Sequence, residues 1–399
     1  MKNKSLIFFM FISFSLVSQT KYQKDFNYLW DTFNDYYAYF DKKQTNWKKV
    51  KEIYQDRVDS IKTDGQFISV LEEIIYEFYD AHISLNRNNS SSFRLIPTSL
   101  DANIEIKNNK YFIKDIRQNF EAEKAGLKIG DEILMINGKK INQLITDILP
   151  ESFNKPKKNV KEFFANLLFA GRHNEQREIS IKRRGEDIIY KLGKPKVVRK
   201  EEGILNSKII EKNIGYIKFN NSLGNNSVIK SFQEKVDEFE NTRAIILDLR
   251  DTPSGGNAEV AKSIMGKFIT KTISYQKHEK VSLEREFGIK RSWIELVTPL
   301  KKPYRKPVIV LVGRWTGSIG EAIAQGFDNI KSAKVVGTEM AKLLGAIGCN
   351  RLPETNINIC FPIERLYHIN GMPRESFKPE IQTGSSKEAY KKAIQILNE

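Results

Sequence analysis

Covalent and metal cross-links have little to work with in this chain of 399 residues. It has only two cysteines, Cys349 and Cys360, and no His or Cys pair at the intervals of a zinc site. Long hydrophobic runs are missing apart from one near the N-terminus, so no membrane span is expected. Runs of a single charge are scarce as well. The formal net charge is +16, from 65 Lys and Arg against 49 Asp and Glu, but the bases are scattered among acids and no nucleic-acid-binding motif is present. A basic solvated surface follows, suited to acidic substrates or anionic membrane surfaces and not to nucleic acid. What is present is core-forming material: 40% of residues are hydrophobic, and the length has room for two or three domains of roughly 150 residues.

The N-terminal exception is LIFFMFISFSLV, Leu6 to Val17, preceded by Lys2 and Lys4 and followed by polar sequence. That layout is the one of a secretory signal peptide over residues 1–18, and it predicts an exported protein, periplasmic or extracellular. No cysteine follows it to carry a lipid. Cys349 and Cys360 flank a turn at PETN, residues 353–356, and face each other if the flanking segments pair as a hairpin. An oxidising compartment would permit a disulfide; a pair of small buried hydrophobes is the alternative.

Three regions follow the leader. Residues 22–92 carry apolar positions at three-to-four spacing, as in FNYLWDTFNDYYAYF and FISVLEEIIYEFY, then the polar run NRNNSSS, and read as a helical domain. Residues 97–196 carry short strand patterns, NIEI and KYFIKDI, and glycines at turns. Residues 203–399 alternate strand and helix patterns and read as α/β. Within this last region VIVLVGRWTGSIGEAIAQG, 308–326, reads as a buried strand, a sharp turn and a helix beginning at Ser318. A serine there sits where unpaired backbone N–H groups can stabilise an oxyanion, although a helix-capping serine would look the same.

The block AGLKIGDEILMINGKKI, residues 125–141, closely resembles a PDZ domain, which implies recognition of an extended peptide by strand addition. At the place of the loop that would hold a terminal carboxylate stands SLDA: Ser99, Leu100, Asp101 and Ala102. It lacks the usual glycine and sets an acid where a chain end would lie. Taken with GYIKF, DLRDTPSGGN, TGSIGE and VVGTEM in that order, the chain resembles the C-terminal processing (tail-specific) and tricorn-type serine peptidases. The resemblance implies a crotonase-like (ClpP/crotonase-type) α/β catalytic core with an inserted PDZ domain and an N-terminal helical domain. It implies Ser318 as nucleophile, with the N–H groups of Ile319 and of Gly255 or Gly256 as oxyanion hole.

The general base departs from the lysine-type members. Alignment on Gly337 puts Leu343 where their lysine stands, with Lys342 one residue away and turned to the opposite face of a regular strand. The segment YDAHISL is similar to the motif that supplies a histidine in tricorn-type members, which makes His82 the favoured base. In those enzymes a glutamate orients the histidine; Glu375 in LYHINGMPRESFKPEI matches best, with Glu364 or His368 as alternatives. Glu321, one helical turn from Ser318, either supports the site or caps its own helix. The expected function is cleavage of extended or unfolded polypeptides without metal or organic cofactor. An inactive member that binds peptides or apolar ligands, or a PDZ-centred scaffold, are the alternatives.

Overall fold

The computed structural model describes residues 19–193 and 203–399; the leader expected at 1–18 lies outside the described residues. Helices Lys21–Tyr36, Trp47–Asp59 and Asp64–Tyr76 open the described chain. Each starts at a capping side chain. Thr20 and Thr63 form capping boxes with Gln23 and Gln66, and Asn46 accepts from the Lys49 N–H. Their apolar faces do not close on one another alone: Phe26, Phe33, Val50 and Ile74 share one core with Leu352, Ile357, Ile359 and Phe361 near the C-terminus. Phe33 stacks on Phe361 with ring centroids 4.2 Å apart.

Those C-terminal partners lie on or beside the hairpin of strands Ala346–Arg351 and Asn358–Tyr367. Cys349 pairs with Cys360 across it and the two sulfurs are bonded, so of the two readings open in the sequence the disulfide is the one formed. Strand Ser84–Leu85 pairs with the same hairpin, Ser84 opposite Cys360. The turn ahead of that strand therefore comes to rest on the C-terminal region. That turn carries His82.

A second core belongs to a six-stranded antiparallel sheet, whose outer strand Ala102–Lys107 lies against helix Lys158–Ala170. The third unit is a six-stranded sheet in which Ile214–Phe219, Ala244–Asp248, Val308–Val312, Ala333–Gly337 and Ile381–Gln382 run parallel, with Leu205–Ile210 antiparallel at the edge. AIILD and VIVLV are buried throughout because both faces are covered. Val308, Val310 and Val312 face one layer of helices, while Ile309 and Leu311 face the helix containing Ala389 and Ala393. The strand Val308–Val312 leads into the turn before helix Ile319–Asp328.

Candidate active site

Ser318 precedes helix Ile319–Asp328 with φ 51° and ψ −110°, a conformation that L-residues rarely adopt. An ordinary capping serine has extended backbone, so this one is set apart by strain of the kind that concentrates at functional sites. Two glycines make the turn possible. A Cβ on Gly317 would lie 2.7 Å from the Pro253 carbonyl oxygen, and one on Gly255 would lie 2.5 Å from the Ser318 Cβ. The loop after strand Ala244–Asp248 is thereby packed directly on the serine.

The Ser318 Oγ lies 3.1 Å from His82 Nε2, and His82 Nδ1 lies 2.5 Å from the carbonyl oxygen of Leu344. A carbonyl only accepts, so Nδ1 carries the proton and the Nε2 of the neutral ring offers its lone pair to the serine hydroxyl. Burial, with the Arg374 guanidinium second, pushes the His82 pKa down to about 4, which keeps the ring neutral at pH 7. Asp80 does not reach the ring. It accepts the backbone N–H of His82 at 3.0 Å and the Tyr37 hydroxyl at 2.8 Å, with Lys43 Nζ 3.7 Å away, and so fixes the turn that presents the histidine.

The third group is where sequence and structure part. Glu375 forms an ion pair with Lys42 at 2.7 Å, and the ring nitrogen it was expected to orient meets the Leu344 main chain instead. The alternatives are also engaged elsewhere, Glu364 with His278 Nδ1 at 2.8 Å and His368 with Asp328 at 3.4 Å. A main-chain acceptor leaves no trace in side-chain chemistry, so no sequence motif announces it. Lys342 is corrected too: its φ is 59°, its ammonium pairs with Glu339 at 3.0 Å, and its side chain is 45% exposed. Leu343, in the lysine position of the alignment, turns its apolar side chain toward Gly317.

Glu321 accepts from main-chain donors on its own helix and on the loop at 342–343. Its carboxylate accepts the N–H of Ser318 at 2.9 Å, capping the helix, and also those of Lys342 at 2.9 Å and Leu343 at 3.1 Å. Burial pushes its pKa up to about 7, against the opposing pull of Arg374 and the three N–H donors. Arg374, next to the expected Glu375, is 2% exposed and donates through Nη2 to the carbonyls of Leu343 and Gly345, both at 2.8 Å. Of the glycine pair, Gly255 donates its N–H to Thr252 at 3.3 Å. Among the described residues no hydrogen bond takes the N–H of Gly256 or Ile319, the latter being the first residue of its helix.

The peptide-binding expectation for Ser99 to Ala102 is overturned. All four are buried, the Leu100 carbonyl accepts the Trp315 indole N–H at 2.6 Å, and Asp101 forms a bidentate pair with Arg177, both contacts 2.8 Å. A joint between the PDZ-like sheet and the serine turn occupies the place of a carboxylate loop. The adjoining edge is also taken: Asn166 bonds both the N–H and the C=O of Ile104, and Glu162 accepts the N–H of Ile106. An open cleft of about 550 Å³ remains between this edge and the loop at 339–344, bounded by Ile96, Leu100, Asn166, Arg314, Ala341 and Leu344. Among the described residues no group of three or more His, Cys, Asp or Glu could hold a metal ion.

Residues 213–383 match peptidase family S41, residues 18–76 match the tricorn protease C1 domain, and residues 98–206 match a PDZ domain. Over residues 213–383 the chain is similar to peptidase family S41. That is a serine peptidase family, and its members act on polypeptides. The chain is 24% identical over 306 residues to the carboxy-terminal processing protease CtpA of Bacillus subtilis (strain 168), a match that covers 75% of this chain and 59% of that relative. In fold it is similar to the photosystem II D1 C-terminal processing protease, with TM-score 0.56 at 14% identity over 92% of this chain and 94% of that one. Mature CPAF is similar as well, with TM-score 0.60 at 13% identity over 95% of each. The chain thus has mixed α/β architecture with a region, 98–206, that matches a PDZ domain.

Proposed function

We propose that this protein is an exported serine endopeptidase that cleaves extended or unfolded polypeptides, with Ser318 as nucleophile and His82, not a lysine, as general base. The observation that carries the reading is the relay from Ser318 Oγ to His82 Nε2 and from Nδ1 to the Leu344 carbonyl. Nε2 takes the hydroxyl proton as Oγ bonds to the scissile carbonyl carbon. The new oxyanion is held by the N–H groups of Ile319 and Gly256, with Gly255 shaping the approach. The imidazolium then gives its proton to the leaving amine. A water deprotonated by the same ring releases the acyl group from Ser318.

Export is supported by the leader-like composition of residues 1–18 and by the disulfide, which suits an oxidising compartment. No helix among the described residues is long and apolar enough to cross a membrane. We read the parallel sheet covered by helices on both faces as a crotonase-like core at 203–399, with the PDZ-like part at 97–196 and the helical part at 22–92. Substrate enters, in this reading, along the cleft beside Leu344, and not by adding a strand at Ile104. The test is hydrolysis of an unfolded protein substrate together with labelling by a fluorophosphonate probe. Wild type is expected to do both. Ser318→Ala and His82→Ala should each lose at least about 10³-fold in kcat/KM, as removal of a triad member does. Full activity in Ser318→Ala would overturn the assignment.

A further inference from the structure

We propose that Arg374 is the positioning residue for the catalytic histidine, acting on the His82 ring through the main chain of Leu343 to Gly345. The inference rests on the Ser318–His82 reading above and adds what holds the ring in line. In a serine–histidine–carboxylate site the third side chain is itself locked by packing. Here the third group is a carbonyl on a loop, and a carbonyl points only as well as its two flanking peptides are held.

Those peptides are held from two sides. Glu321 takes the N–H groups of Lys342 and Leu343, and Arg374 Nη2 bridges the carbonyls of Leu343 and Gly345, one on each side of Leu344. Between the two bridged carbonyls the Leu344 oxygen is turned toward His82 Nδ1. Left-handed residues bracket the strap, Lys342 at φ 59° and Gly345 at φ 56°. A Cβ on Gly345 would lie 2.2 Å from the Glu364 carbonyl oxygen, so the strap has no room to shift outward. Arg374 itself is fixed by burial within the short 3-10 turn Arg374–Ser376. A guanidinium suits this task because one planar group can donate to two carbonyls without changing its charge, which the compact ammonium of a lysine does less well.

The same placement sets the electrostatics. The charged groups around His82 are Arg374 from the 3-10 turn, Asp80 from its own turn with Lys43 and Tyr37 behind it, Glu321 from the serine helix, and Lys342, which is paired with Glu339. Removing the guanidinium should therefore do two separable things: loosen the Leu344 carbonyl and make the imidazole easier to protonate.

The experiment compares wild type, Arg374→Met and Arg374→Lys by kcat and KM on an unfolded protein substrate across pH, and by ¹⁵N NMR of the histidine rings in each. For Arg374→Met, kcat is expected to fall about 10²-fold with little change in KM, as for misplacement of a catalytic group by an ångström. Its acid limb should move to higher pH, and the single Nδ1–H tautomer of His82 should be lost. Arg374→Lys keeps the charge, so its acid limb should stay in place while kcat recovers only in part; it also serves if the Met variant does not fold. Wild-type kcat, acid limb and His82 tautomer in either folded variant would overturn the proposal. If the wild type itself neither hydrolyses substrate nor takes up the fluorophosphonate, the peptidase reading fails, and the ¹⁵N tautomer comparison still decides whether Arg374 orders the ring.

Discussion

Two buried carboxylates, Asp101 in the PDZ-like joint and Glu321 beneath the serine turn, are handled in opposite ways. Asp101 has the guanidinium of Arg177 against both oxygens, and neither side chain is exposed. Glu321 has only main-chain N–H donors in direct contact, with Arg374 at longer range, and burial pushes its pKa up to about 7. A charge met by an opposite charge makes a fixed joint. A charge met in direct contact by dipoles stays open to titration near neutral pH, beside the proposed Ser318–His82 pair.

The comparison is tested most severely at Arg177. Arg177→Met strands the Asp101 charge in a dry interior and should cost about 3–5 kcal/mol, read as a fall in the urea midpoint at unchanged m-value. Replacing both partners, Asp101→Asn with Arg177→Met, should recover part of that loss. If the single variant is as stable as wild type, the joint is not an electrostatic one.

At the other carboxylate the effect is a dependence on pH. The pKa of Glu321 is raised from an ordinary 4.5 to about 7, so its contribution to stability is full below about pH 4.5 and is lost as pH rises through 7. The His82 pKa is lowered from 6.5 to about 4, so its contribution is full above about pH 6.5 and is lost as pH falls toward 4. Each is on the order of 3 kcal/mol, and in the wild type the two slopes oppose each other. His82→Asn should expose a stability that falls from pH 4.5 to 7, and Glu321→Gln one that rises from pH 4 to 6.5. Parallel profiles in the two variants would contradict this account.

A smaller effect is expected at the hairpin that ties the helical region to the strap. Cys349→Ser with Cys360→Ser opens a link of sequence separation 11 and should lower stability by about 2 kcal/mol through the unfolded chain. Fluorophosphonate labelling should persist, because the hairpin ladder and its apolar core remain. Loss of labelling in a folded variant would mean that the disulfide itself holds the strap.

Much of the site was legible in advance where local chemistry carries it. The run VIVLV reads as a strand covered on both faces, and small residues around Ser318 point to a tight turn into a helix. His82 was legible only through resemblance, since a lone histidine after a helix says nothing of a serine 236 residues away. The orienting group was misassigned to Glu375 because a search by side-chain type finds acids and never carbonyls. Arg374, its neighbour, was passed over for the same reason. The SLDA stretch misled because nothing near it in the chain reveals that Trp315 and Arg177 will close on it.

By itself the sequence determined which segments become strands and helices, where the serine turn falls, and that Leu343 stands where a lysine base would. Periodicity, glycine placement and helix caps are local and are written in consecutive residues. Only the tertiary structure decided that the helical region shares a core with the 346–367 hairpin, which brings His82 to Ser318, and that a main-chain carbonyl takes the third place. Those outcomes depend on which apolar faces bury one another and on where unpaired backbone groups are left when they do.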